Sequence, residues 1–420
     1  MRIIYYYTVH SFDTCFYLNY LLFLFSYDTF VYDTNLYHTQ MYRMESPFQY
    51  GTVVSGKFFI NRKEEKARLK QNLLSGINTM LISPRRWGKS SLVKDSMLEL
   101  TKENNNVRVC YLDLFAVGTE HEFYEVLARE VVQSVSGKLD HWVDALKKHL
   151  SAITPKITLG ADPSTQFSIS IPLSDIEKAP LEVLDLAEKL ALEKDIRLIV
   201  CIDEFQNIAE LDNYETFEKR LRSVWQNHQH VSYCLYGSKR HMMNDIFNNP
   251  SKPFYRFGDL MELQKIDKEE WVKYIVRGFK STGKYIECKQ ARRIAELMDN
   301  HSWYVQQLAH YAWTNTESTL SDEDLERAVN QLINTSSPFF IKEFESLSKT
   351  QVNLLKAVLM GESQLSSQRV MSEYGLGSNR NATRNKQTLE QADIIESIDQ
   401  GYKFLDPVFA LWFKDKVIRY

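Results

Sequence analysis

Apolar residues follow two patterns along this chain. In the first part they bunch into short, nearly continuous runs. From Asp267 onward they recur every three to four positions. Ile77–Ile82, Val107–Leu114, Arg197–Ile202 and Val231–Tyr236 are runs of the first kind and have the length of buried strands. Between them, His121–Val135, Leu181–Lys194 and Tyr214–Asn227 carry helical periodicity. Strand alternating with helix predicts an α/β layer with a parallel sheet. Thr154–Leu173 alternates about Gly160-Ala161-Asp162-Pro163, as a hairpin does.

Beyond Asp267, helices are predicted over Lys268–Lys280, Cys288–Met298, Trp303–Thr314 and Asp322–Ile333. Asp322 and Asp324 sit where they complement the dipole of the last of these. Ser336-Ser337-Pro338 reads as a linker. Then Thr350–Met360, Ser366–Tyr374 and Asn379–Ala392 read as helices, followed by a hairpin turning at Asp399-Gln400-Gly401. That order suggests a winged helix-turn-helix. The expected organisation is an extension over 1–43, an α/β core over 44–266, a helical module over 267–337 and a winged helix over 345–420.

The candidate chemistry lies at the ends of the predicted strands. After Ile82 comes Ser83-Pro84-Arg85-Arg86-Trp87-Gly88-Lys89-Ser90-Ser91, and then a helix. A phosphate-binding P-loop has Gly, four residues, then Gly-Lys-Ser/Thr, between a strand and a helix. Here spacing and context match, and Ser83 stands in the first glycine slot. Gly88 would let backbone N–H groups approach phosphates at the helix N-terminus. Lys89 would reach the β- and γ-phosphates of ATP, and Ser90 would ligate Mg²⁺. Asp203 and Glu204 follow the most apolar strand; the first would anchor Mg²⁺ and the second would act as general base. Ser238 follows the fourth strand and would sit beside the γ-phosphate if that strand lies between the first and third. Arg256 is the candidate arginine finger, completing a neighbour's site in a homo-oligomer.

Composition narrows the alternatives. Apolar residues at 44% and charged residues at 25% are ordinary for a globular protein, and a net charge of −3 offers no global basic field for nucleic acid. The 5 cysteines form no CxxC pair, which argues against a zinc ribbon and for reduced thiols in a cytoplasmic protein. Residues 1–43 are rich in Tyr and Phe and hold no Gly, Pro or Ala. Their longest apolar run is too short to span a bilayer, so no stable membrane insertion is expected.

"SPRRWGKSSL", "CIDEFQNI", "YGSKRHMMNDIF" with "KPFYRFGD", "SWYVQQLAHYAW" and "FLDPVFALWF" occur in that order. Together they resemble the AAA+-type ATPases of the archaeal/bacterial ATPase family, within the wider group that includes STAND signalling ATPases. The resemblance covers Met44 to the C-terminus. In that family Ser-Pro-Arg-Arg ahead of Gly-Lys is a usual loop form. The resemblance implies a P-loop ATPase core with ATP and Mg²⁺ bound, and a lid from Asp267. It also implies that Phe58–Glu65 lie near the adenine, with Asn61 and Arg62 in the family's Asn/Gly-Arg slot. Trp303-Tyr304 replace the Gly and Pro of many relatives, so a lid contact from His301 or Ser302 does not carry over. Met44 resembles the ordinary start of such proteins, which marks residues 1–43 as an upstream extension from a misassigned start codon or a hydrophobic appendage.

Two functions follow. One is an ATPase that works as a nucleotide-driven switch on a protein partner. The other is an ATP-regulated duplex DNA binder that reads bases with Asn379–Gln391. Residues 345–420 carry 10 Lys+Arg against 9 Asp+Glu, a weak field for DNA. In proteins that this one resembles, a winged helix also serves as a docking module.

Overall fold

The computed structural model describes residues 45–54, 56–135, 148–150, 156–158, 168–170, 172, 174 and 179–418. The N-terminal extension and the expected Gly160–Pro163 turn lie outside the described residues. The strands flanking that turn, β3 (Lys156–Thr158) and β4 (Ser168–Ser170), pair antiparallel as expected.

The main sheet contains β1 (Thr79–Ile82), β2 (Val107–Asp113), β5 (Arg197–Asp203), β6 (Val231–Gly237) and β7 (Asp259–Glu262). Their order is β2-β5-β6-β1-β7 and every pairing is parallel. β6 therefore lies between the first and third predicted strands, the condition set for Ser238. The uniform apolarity of β5 and β6 follows from burial on both faces, whereas the edge strand β2 alternates buried and exposed positions. β7 was not expected from the pattern; Asp-Leu-Met-Glu is too short to show a period.

Helices α1 (Lys63–Leu74), α2 (Lys89–Glu103), α3 (Glu120–Val135), α4 (Pro180–Leu184), α5 (Leu186–Glu193), α6 (Tyr214–Trp225) and α7 (Arg240–Asn248) belong to this layer. Two apolar clusters cover the sheet faces. One joins α3, α4, α5 and α6 to β2, β5 and β6, and the other joins α1 and α2 to β1, β5 and β6.

The helical module comprises α8 (Lys268–Ser281), α9 (Cys288–Leu297), α10 (Ser302–Asn315) and α11 (Asp322–Glu345). Then come α12 (Lys349–Leu359), α13 (Gln368–Glu373), α14 (Asn379–Gln391), the antiparallel wing β8 (Ile395–Ile398) and β9 (Gly401–Phe404), and α15 (Pro407–Phe413). Ser336-Ser337-Pro338, expected as a linker, instead lie inside α11. An interior proline removes a helical hydrogen bond and clashes with the turn before it. Packing overrides that cost here. Leu332, Ile333 and Phe340 continue one buried stripe, and Ser337 Oγ accepts from Trp412 Nε1 at 2.9 Å. The helical module and the winged helix consequently share one apolar cluster.

Candidate nucleotide-binding site

Parallel register brings the key strand exits to one edge. Ile82 pairs with Gly237, and Ile202 pairs with Leu235. Ser83, Asp203, Glu204 and Ser238 therefore leave the sheet together, at the carboxyl ends where ligands of open α/β sheets bind.

The loop conformation explains the missing first glycine. Ser83 does not adopt positive φ; the left-handed positions are Arg86, at φ 65°, and Gly88, at φ 95°. Glycine is thus needed at the second slot and not at the first. A Cβ at Gly237 would meet Gln206 Oε1 at 1.9 Å, so any larger residue there would displace the Gln206 side chain from Glu204.

Lys89 is the first residue of α2 and is buried, with Nζ 3.7 Å from Glu204 Oε1. Ser90 Oγ donates to Asp203 Oδ2 at 2.8 Å. Ser238 Oγ donates to Glu204 Oε2 at 2.9 Å, and Gln206 Nε2 donates to the same oxygen at 2.5 Å. Burial pushes the Glu204 carboxyl up, but Lys89, Gln206 and Ser238 outweigh it and hold it below the ordinary carboxylate value. Asp203 moves the other way: burial raises it, and Lys89 and Ser90 offset this only in part. The Glu204 carboxyl is therefore ionised at neutral pH, the state from which a general base would act.

Beside this edge lies a cavity of about 300 Å³. Arg86, Trp87, Gly88, Lys89, Ser90 and Ser91 line it from the loop and the start of α2. Tyr50, Phe59, Ile60, Trp271 and Trp303 add aromatic and apolar wall, with the side-chain amides of Gln49 and Gln306 among them. A helix N-terminus with a lysine together with aromatic surface suits a nucleotide.

The remaining predicted residues divide. Arg62 lines the cavity, but its buried guanidinium is occupied: it donates to Gln264 O at 2.8 Å, to Glu65 at 3.0 Å and to the P-loop carbonyl of Trp87 at 3.3 Å. Asn61 is left-handed and is not among the lining residues. Ser91 accepts from Val54 N–H at 3.0 Å, tying the 50–54 strap to α2. Ser83 and Pro84 do not reach this cavity, and Arg85 Nε points to Ser238 Oγ at 3.5 Å. Arg256 is exposed, with its guanidinium 5.1 Å from the Tyr255 ring. Among the described residues no hydrogen bond or ion pair joins it to the strand-end carboxylates.

Several contacts were not anticipated. Ser302 lines the cavity and its Oγ donates to Trp87 O at 3.3 Å. His301 is buried between Trp87 and Tyr304, and burial pushes its imidazole down to about 3, so it is neutral. Arg86 lies 4.8 Å from the Trp303 ring and donates to Tyr304 Oη at 3.3 Å; Tyr304 donates in turn to Asp406, the N-cap of α15. Arg240, two residues beyond Ser238, pairs with Glu396 of the wing at 2.9 Å. The Trp-Tyr departure at 303–304 thus supplies aromatic contacts from the helical module and the winged helix to the P-loop.

A family profile described as "Probable winged helix domain" matches residues 338–415. A Walker-type ATPase of Pyrococcus abyssi superposes with a TM-score of 0.63 at 20% identity, over 88% of this chain and 99% of that one. The ORC2 protein of Aeropyrum pernix, in ADPNP–ADP complexes, superposes at 0.53 and 15% identity, over 85% and 95%. The chain shares the fold of these two proteins. Its parts are the parallel sheet with the P-loop, the helical module α8–α11 and the C-terminal winged helix. No curated protein matches the chain. No helix among the described residues is long and apolar enough to cross a membrane.

Proposed function

We propose that the protein binds ATP with Mg²⁺, hydrolyses it to ADP and phosphate, and uses the cycle as a conformational switch. The observation that carries this reading is the meeting of Lys89, Glu204 and Ser238 beside the cavity, with Ser90 against Asp203. Lys89 neutralises charge on the β- and γ-phosphates. Ser90 and Asp203 offer only oxygens, the donor type that Mg²⁺ takes, and one carboxylate with phosphates and waters is its usual shell in such sites. Bound there, the ion would supply charge neutralisation to the phosphate oxygens. Glu204 orients a water and takes its proton as the water oxygen bonds to the γ-phosphorus and the bond to the β,γ-bridging oxygen breaks. Ser238 keeps the Glu204 carboxylate aimed. Trp271, Ser302, Trp303 and Gln306 come from the lid, so a nucleotide in the cavity would bridge lid and core, which supports the switch. Cys110, Cys201 and Cys234 are buried free thiols, which suits a cytoplasmic setting. Purified protein should release phosphate from ATP in Mg²⁺ and stop on addition of EDTA; neither ATP binding nor phosphate release would sink the reading.

Arg256 is proposed to complete the site of a neighbouring copy. Its exposure supports a role outside its own subunit. Arg256→Ala should then lower hydrolysis by about 10³-fold with ATP affinity nearly unchanged. Mixing it with Lys89→Ala protein should restore part of the activity. Wild-type turnover by the single variant would return Arg256 to an ordinary surface residue.

A second reading, DNA binding by the winged helix, is favoured by the free face of α14. Arg380 and Arg384 are exposed, and among the described residues no ion pair engages them. Asn379, Asn381, Thr383 and Gln387 flank them in an open groove. Such binding would weaken steeply as salt rises.

A further inference from the structure

The aromatic lining of the cavity includes a side-chain amide whose orientation the fold dictates. Gln306 lies on α10 one turn beyond Ser302, on the face that meets the P-loop, and is 8% exposed. Its side-chain oxygen receives the backbone N–H of Gln49 at 3.1 Å and the hydroxyl of Tyr274 at 3.1 Å. A backbone N–H only donates, so the atom facing Gln49 has to be the oxygen. The amide nitrogen is thereby turned the other way. Among the described residues it has no hydrogen-bond acceptor, and it is not one of the fully enclosed polar atoms without a partner. Gln306 lines the cavity together with Tyr50, Phe59, Ile60, Trp271 and Trp303.

We infer that Gln306 is a base-reading residue: its Nε2–H donates to a ring nitrogen of a purine base seated among these aromatic walls. The inference rests on the nucleotide reading of the cavity and deepens it. With both lone-pair directions of Oε1 taken, the side chain presents donors only, so it recognises an unprotonated ring nitrogen and offers nothing to a ring N–H. The surrounding aromatic wall supplies stacking surface, and a base seated against it would shield the donor from water, which raises the worth of one oriented hydrogen bond. Preorganisation adds to this, because the side chain loses no rotamer freedom when the base arrives.

The test uses full-length protein in Mg²⁺ and competition against a fluorescent nucleotide. The competitors are ATP and analogues in which one base ring nitrogen at a time is replaced by C–H. One analogue should bind about five-fold more weakly than ATP, the worth of one net hydrogen bond. Gln306→Glu keeps an acceptor for Gln49 and Tyr274 but removes the donor. In that variant ATP should weaken and the gap between ATP and the discriminated analogue should close. Equal binding of every analogue by the wild type overturns the inference while leaving the nucleotide site standing, as does a gap that persists in Gln306→Glu. A wild type that binds no ATP at all overturns both.

Discussion

Glu204→Gln protein should bind Mg²⁺–ATP as tightly as the wild type and hydrolyse it about 10²- to 10⁴-fold more slowly, the usual contribution of a positioned general base. The amide is nearly isosteric with the carboxylate and still accepts from Ser238, whose hydroxyl lies 2.9 Å away. What it lacks is the capacity to take a proton. The Mg²⁺ anchor proposed at Ser90 and Asp203 is untouched, so affinity should hold. Binding by fluorescence competition and phosphate release under single-turnover conditions separate the two steps. Wild-type hydrolysis by this variant would remove Glu204 from the chemistry and leave its contacts with Lys89, Gln206 and Ser238 as purely structural.

Lys89→Ala should lose ATP affinity by about 10²-fold or more, since charge-assisted contacts contribute roughly 1.5–3 kcal/mol each and the ammonium serves two phosphates. The loss has a second source. Lys89 is the strongest influence holding the Glu204 carboxyl down against its burial. Without it, that carboxylate repels the incoming phosphates more strongly. The residue begins α2 and lies outside the apolar clusters of the sheet, so a folded protein with a cooperative melting curve should accompany the loss of binding. Retained affinity would show that the loop cradles something other than phosphate.

The grouping of side chains at the strand ends was readable along the chain because each piece is local. Ser83–Ser90 is a contiguous loop between a strand and a helix, and Asp203-Glu204 end a run whose unbroken apolarity already marks it as a central strand. The position of Ser238 needed one topological assumption, that β6 lies between β1 and β5, and the sheet order meets it. Other readings missed because a local rule met a distant partner. Pro338 looked like a break, yet α11 runs through it because Phe340 and Ser337 are held by Phe409 and Trp412. Arg62 does line the cavity, but nothing along the chain signalled that its guanidinium would donate to the Trp87 and Gln264 carbonyls.

What the chain order alone settles here is the α/β core, the helical stretch after it, the winged helix and the residues at the exits of three strands. All of these follow from short-range period and spacing, which backbone geometry imposes within a few residues. Only the tertiary structure decides what surrounds those residues. Gln306 becomes a donor-only group because Gln49, 257 positions away, takes its oxygen. Arg86 is steadied by Tyr304, 218 positions on, and through it by Asp406 at the head of α15. Such contacts leave no periodicity to read, because they arise from where packed helices come to rest and not from the spacing of residues along any one of them.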